Sequence, residues 1–206
     1  MKRSLRFLFS NPLTTATRAA IFLDRDGVIN RRIVGGYVCH WTQFKFVPGI
    51  KDALSQLSRL SLPMIVVSNQ AGVAKGLVSQ DSLREITERF VAALTRAGSH
   101  INAVYYCPHD QYDNCRCRKP HPGLLEQAAA DWRLDLASSV LIGDSLSDVQ
   151  AANAAGCPAI LLLPRGTTAS RSLITSSQVE IASRVSRIPE LVRSRFASTQ
   201  RLGPRI

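Results

Sequence analysis

The stretch that most constrains the fold is residues 19–30, Ala-Ala-Ile-Phe-Leu-Asp-Arg-Asp-Gly-Val-Ile-Asn. An apolar run without polar alternation predicts a strand buried on both faces, as in a parallel sheet covered by helices on either side. The run stops abruptly at Asp24 and Asp26, so these acids sit where the strand leaves the core. In an open parallel sheet, that edge is where ligands bind. Side chains two apart on an extended chain point the same way, and Gly27 lets the backbone turn sharply after them, so the two carboxylates can share one site. Close carboxylates repel, and a divalent cation is the usual remedy. Taken alone, Asp-x-Asp-Gly reads equally well as an acidic turn after a strand; the rest of the chain decides.

Strand and helix alternate downstream. Residues 28–48 form a loop with Arg31, Arg32, Gly35, Gly36, Tyr37, Trp41 and Phe44, a composition that suits recognition of an anionic, polyhydroxylated ligand and plain packing equally. Residues 49–61 place Ile50, Ala53, Leu54, Leu57 and Leu60 at helical spacing. Residues 63–67 predict a second buried strand ending in Ser68-Asn69-Gln70, whose hydroxyl and amides can donate to phosphate oxygens. A helix over 81–97 and a strand over 101–106 follow. A further strand, 139–142, ends in Gly143-Asp144-Ser145-Leu146-Ser147-Asp148, with Asp148 in the first turn of a helix over 146–155, where the dipole favours an acid. Residues 159–163 predict another strand, 179–182 a short edge strand and 189–196 a final helix. The expected fold is therefore α/β, a doubly wound parallel sheet of Rossmann-like type.

The third strand runs into a loop bearing Cys107, His109, Cys115 and Cys117. These soft or borderline ligands, spaced as Cys-x-His and Cys-x-Cys, suit tetrahedral zinc with no vacant position, hence a structural ion that pins a loop too polar to fold alone. Three of the five cysteines lie in this loop. In a cytoplasmic chain that distribution favours metal over a disulfide. Cys39 and Cys157 read as packing residues. The ion would deliver Arg118 and Lys119, the cations directly after it, to the sheet edge that carries the aspartates.

Charge argues against one class of function. The net charge of +11 resides at the ends: residues 1–18 hold four bases and no acid, and residues 165–206 hold eight arginines against two glutamates. Residues 19–164 carry 14 bases and 13 acids. A nucleic-acid reader would gather its bases on one face of the body with aromatics or a reading motif, and neither is present. With 206 residues, one well-buried domain fits and a second would be crowded. The expected organisation is a basic extension over 1–18, a single domain over 19–197 with its motif-bearing core at 20–163, and a tail over 198–206, the ends being solvated and partly disordered. The Leu5–Phe9 patch is too short and too interrupted by charge for a secretory signal. These readings predict a cytoplasmic monomer with no membrane or nucleic-acid partner.

Four signals in order, Asp24-x-Asp26-Gly-x-Ile, Ser68-Asn69-Gln70, Lys119-Pro120 and Gly143-Asp144-x-x-x-Asp148, resemble the four motifs of the haloacid dehalogenase superfamily of phosphohydrolases. The zinc loop before Arg118-Lys119 narrows the resemblance to one small subfamily without a cap domain. Its members act on a heptose bisphosphate or on histidinol phosphate. Gly36-Tyr37-Val38 with Trp41, Phe44 and Phe46-Val-Pro-Gly, and Lys119-Pro-His-Pro-Gly, resemble the heptose members, which serve lipopolysaccharide precursor synthesis. Arg31 and Arg32 depart from that pattern, standing where an acid would meet sugar hydroxyls, and Ser145 stands where some members carry lysine. The resemblance implies a magnesium-dependent phosphatase of a small phosphorylated sugar. Asp24 would be the nucleophile and Asp26 the acid and base; Asp24, the Asp26 carbonyl and Asp144 would hold Mg²⁺. Ser68 and Lys119 would bind the phosphoryl group, and Gly36, Tyr37, Asn69, Gln70 and Arg118 the substrate. Asp148 would orient Lys119 or a metal-bound water, with Ser145 beside it. The rival class is a zinc-stabilised phosphate-binding or interaction module, which leaves the other strand ends unexplained.

Overall fold

The computed structural model of the protein describes residues 4–11, 19–163 and 178–200, the side chains of 198–200 excepted. Residues 12–18 of the basic extension and 201–206 of the tail lie outside the described residues. Among the described residues, seven strands form one sheet: β1 (Leu5–Leu8), β2 (Ile21–Leu23), β3 (Met64–Asn69), β4 (Ala103–Cys107), β5 (Val140–Gly143), β6 (Ala159–Leu162) and β7 (Val179–Ala182), in the order β1-β4-β3-β2-β5-β6-β7. Among the described residues there are five α-helices: α1 (Ile50–Ser58), α2 (Gln80–Arg96), α3 (Gly123–Trp132), α4 (Leu146–Ala154) and α5 (Ile188–Gln200).

The period-two geometry of strands divides the apolar residues between two cores. Ile21 and Leu23 of β2, Val66 of β3, Val104 of β4 and Ile142 of β5 face one core, which α1, α2 and α5 close with Leu54, Phe90 and Val192 among others. The intervening residues Phe22, Ile65, Val67, Tyr105 and Leu141 face the second, closed by α3 and α4 through Leu125, Trp132 and Ala152. Both faces of the sheet are thus covered, which is why its strands read as unbroken apolar runs. Chain order reverses at β2, with β3 and β4 on one side and β5 to β7 on the other. That is the switch point where an open α/β sheet leaves a crevice beyond the carboxyl ends of its strands.

The expectation of a purely parallel sheet with a disordered N-terminal extension is corrected at one edge. β1 pairs antiparallel with β4, Leu5 opposite Tyr106 and Leu8 opposite Ala103. Leu5 and Phe7 lean on the first core, while Arg6 on the opposite side pairs with Asp131 at 2.9 Å. The charge that makes this patch look interrupted is the outward half of a strand alternation. It also blunts the edge that β4 would otherwise leave open.

Candidate active site

The crevice at the switch point collects the polar residues at the strand ends. Asp24 follows β2 directly, and its amide donates to the Ile142 carbonyl of β5 at 2.9 Å. Gly27 turns the chain with φ of +110°, and a Cβ there would lie 1.8 Å from Asp144 Oδ2, so only glycine lets the first motif and Asp144 approach this closely. Ser68 and Asn69 end β3. Lys119 comes from the loop after β4, where Asn69 clamps its backbone, Nδ2 donating to the Lys119 carbonyl at 2.9 Å and Oδ1 accepting from its amide at 3.0 Å. The loop thus delivers the Lys119 ammonium to Asp24 Oδ1 at 2.6 Å, with the Val67 carbonyl at 2.9 Å and Asp148 Oδ1 at 2.5 Å.

These are buried charges and their protonation reflects it. Burial pushes Asp24 up to about 6, opposed by Lys119 and assisted by Asp148 and Asp26. Burial, and then Asp24, push Asp144 up to about 7 against the pull of Arg32. Burial alone would raise Asp148 as well, but Lys119 and Ser145 outweigh it and hold that carboxyl below its ordinary range. Ser145 completes the arrangement, its amide and hydroxyl both donating to Asp148 Oδ2 at 3.1 and 2.5 Å. Asp148 is therefore spent anchoring Lys119 and the start of α4. The oxygens of Asp24, Asp144 and Asp148 lie within 4.8 Å of one another. With the Asp148 oxygens committed, Asp24 and Asp144 are the pair whose mutual repulsion a divalent cation would relieve.

Asp26 is held differently. Burial would raise it, but Arg25 and the amides of Asn30 and Gln70 outweigh that and keep its carboxyl below the usual range. One nitrogen of Arg25, Nη2, reaches both oxygens at 2.8 and 3.0 Å, Asn30 donates to Oδ1 at 2.8 Å and Gln70 to Oδ2 at 2.7 Å. Gln70 also donates to Ser68 Oγ at 3.1 Å. Gln70 and Asn69, assigned to substrate by the sequence reading, have amides turned to the protein. Arg25 and Asn30, both fully buried, were assigned no role there. Their one signal in the sequence is a polar residue within an otherwise buried stretch.

A cavity of about 500 Å³ opens over these groups. Its floor carries Asp24, Asp26, Ser68 and Lys119; its walls carry Gly36, Tyr37, Arg32, Lys75 and Arg118. Part of the loop at 28–46 packs on the core and part of it lines this cavity. Trp41 and Phe44 stack at 5.2 Å, and Phe44 stacks on Phe90 of α2 at 5.5 Å, fixing the loop to the core. Its glycines, Tyr37 and Arg32 face the cavity.

Cys107, His109, Cys115 and Cys117 come together as a second group that could hold a metal. Cys107 Sγ lies 3.6 Å from Cys115 Sγ, Cys115 and Cys117 are 3.7 Å apart, and His109 Nδ1 is 3.1 Å from Cys117 and 3.5 Å from Cys107. Tetrahedral zinc with metal–sulfur bonds of about 2.3 Å needs ligand separations of about 3.5–3.8 Å, so the group is close to that geometry. The loop is tied to the active site by Arg118, whose Nη1 donates to the His109 carbonyl at 3.3 Å.

Comparison with known proteins agrees with this arrangement. A family profile described as HAD-hydrolase-like matches residues 116–187. The chain is 35% identical over 159 residues to the D-glycero-beta-D-manno-heptose-1,7-bisphosphate 7-phosphatase of Yersinia pestis, covering 74% of this chain and 84% of that one. It is 38% identical over 154 residues to the enzyme of the same name from Escherichia coli strain K12, with 71% and 80% covered. Among solved structures, the D,D-heptose 1,7-bisphosphate phosphatase from B. bronchiseptica, complexed with magnesium and phosphate, superposes with a TM-score of 0.76 at 30% identity, over 85% of this chain and 98% of that one.

Proposed function

Since this chain belongs to the haloacid dehalogenase-like phosphatases, the family of the relatives just described, we propose that it hydrolyses the 7-phosphate of D-glycero-D-manno-heptose 1,7-bisphosphate. The supporting observation is the convergence of Asp24, Ser68 and Lys119 on one cavity, with Asp144 close enough to Asp24 to share an ion. A heptose bisphosphate carries an anion at each end, and the cavity offers an acidic floor for a metal and phosphoryl group beneath walls bearing Arg32, Lys75 and Arg118.

In this reading Lys119 fixes Asp24 Oδ1 and leaves Oδ2 to attack phosphorus. As the phosphorus–oxygen bond to the sugar breaks, Asp26, ionised in the free site, passes to the leaving oxygen a proton brought in by the substrate's phosphate monoanion. The aspartyl phosphate on Asp24 is then cleaved by a water whose proton returns to Asp26. Ser68 and Lys119 hold the phosphoryl oxygens throughout. Mg²⁺, held by Asp24, the Asp26 carbonyl and Asp144, would supply the charge neutralisation that lets an anionic nucleophile approach an anionic phosphate. The relative solved with magnesium and phosphate supports magnesium as the ion. Zinc on the Cys/His group would be structural, since all four positions are filled by protein.

A phosphate-release panel tests the reading. With Mg²⁺, heptose bisphosphate should be turned over at least about tenfold more efficiently than histidinol phosphate or a 5′-phosphorylated oligonucleotide, a difference of about 1.4 kcal/mol in transition-state binding. Preference for histidinol phosphate would overturn the substrate assignment.

A further inference from the structure

Resting on the metal-site reading above, we propose that Arg32 is a built-in competitor for the divalent cation, occupying two of the oxygens the ion requires and leaving when it arrives. Arg32 Nη2 lies 2.6 Å from Asp144 Oδ1 and 3.2 Å from the Asp26 carbonyl oxygen, with Nε 3.3 Å from that same carbonyl. The guanidinium thus forks across the carboxylate and the carbonyl that, with Asp24, would bind the metal.

The oxygens cannot serve both partners. A guanidinium presents its donors in a fixed plane and stays charged, so it can neither lose a proton to make room nor tolerate a dication within contact distance. Asp144 has little freedom to retreat, because its Oδ2 packs against the backbone at Gly27. Arg32 has that freedom: its side chain is 49% exposed and comes from the cavity wall. Releasing it breaks one half-exposed ion pair and leaves no buried charge behind. Metal binding is therefore an exchange of one cation for another, and the affinity of the site is set by the difference.

The competition has a thermodynamic signature that simple charge repulsion lacks. Arg32 stabilises the metal-free protein by answering the Asp144 charge, and contributes nothing there once the metal is bound. Protein with its zinc intact is dialysed free of Mg²⁺ without a chelator, and Mn²⁺ binding is followed by its paramagnetic resonance signal. Arg32→Gln should bind Mn²⁺ about threefold to tenfold more tightly than the unsubstituted protein. Its thermal midpoint should lie below that of the unsubstituted protein without metal, and the gap should close at saturating Mg²⁺. Unchanged or weaker Mn²⁺ binding would overturn the proposal, as would an equal loss of midpoint with and without Mg²⁺, which would make Arg32 merely structural. Asp144→Asn should abolish Mn²⁺ binding. If it does not, the metal-site reading itself falls, and the competition with it.

Discussion

The Asp26 carboxylate accepts hydrogen bonds from Arg25, Asn30 and Gln70. Arg25 is fully buried, and its Nε and Nη1 have no hydrogen-bond partner among the described residues. Arg25→Met removes one partner of a buried ion pair and leaves the Asp26 charge without its cation, so the variant should be less stable, with Asn30 and Gln70 still holding the carboxylate. Assayed well below its lowered thermal midpoint, Arg25→Met should lose at least about tenfold in turnover of an alkyl phosphate, because protonation of a poor leaving group depends on where Asp26 sits. Dinitrophenyl phosphate, whose leaving group needs no proton, should be affected far less. Equal losses on the two esters would show that Arg25 acts on the fold alone. Asp24→Asn should lower turnover of both by more than about a hundredfold, since it removes the reacting group itself. At this scale the sequence was most informative where an acid ends an apolar run, as at Asp24 and Asp144. It was silent on Arg25 and on the amides of Asn69 and Gln70, because whether an amide faces substrate or backbone depends on which strand lies next to its own.

The elements carry a different kind of information. Helix α2 lies within one residue of the sequence reading at each end, and α1 starts within one residue of it but ends three residues earlier; each shows a clean apolar stripe, Ile50, Ala53, Leu54 and Leu57 in the first. β1 escaped because four residues with an arginine among them carry no periodic signal until β4 supplies the hydrogen bonds. Deleting residues 1–10 should expose that edge, lowering the thermal midpoint by several degrees and making light scattering rise with protein concentration. The Cys/His cluster was legible from spacing alone because its members lie close in sequence. Metal analysis of protein purified without chelator should return about one zinc per chain, and Cys115→Ser should reduce both zinc content and thermal midpoint. Activity should fall with them, since Lys119 follows Cys117 by two residues and reaches Asp24 only with its loop in place.

For the whole molecule, the acidic floor makes metal-free stability depend on pH. Asp24 and Asp144 ionise in the folded protein near about 6 and about 7 instead of 3.8. A raised folded value means stability that is complete below the unfolded value and lost as pH rises through the folded one. Asp26 and Asp148, held low, work in the opposite sense and matter only in more acidic solution. Between pH of about 5 and about 8 the metal-free protein should therefore lose a few degrees of thermal midpoint, and Mg²⁺ should raise the midpoint more at the upper end. Asp144→Asn should flatten that difference. The whole-molecule features of the sequence proved uneven as guides: alternating apolar runs foretold a double-sided sheet, whereas the surplus of basic residues at the termini said nothing of the strand that one of them forms. A last consequence concerns where motion can reside. β2 is three residues long, wholly buried and hydrogen-bonded to parallel neighbours on both sides. Its amides should exchange with deuterium only when the entire domain opens, while those at 31–40 and 110–116 exchange through local fluctuation. Asp24 is thus bolted to the slowest part of the protein, and whatever breathing admits a sugar and discharges phosphate must be done by the walls.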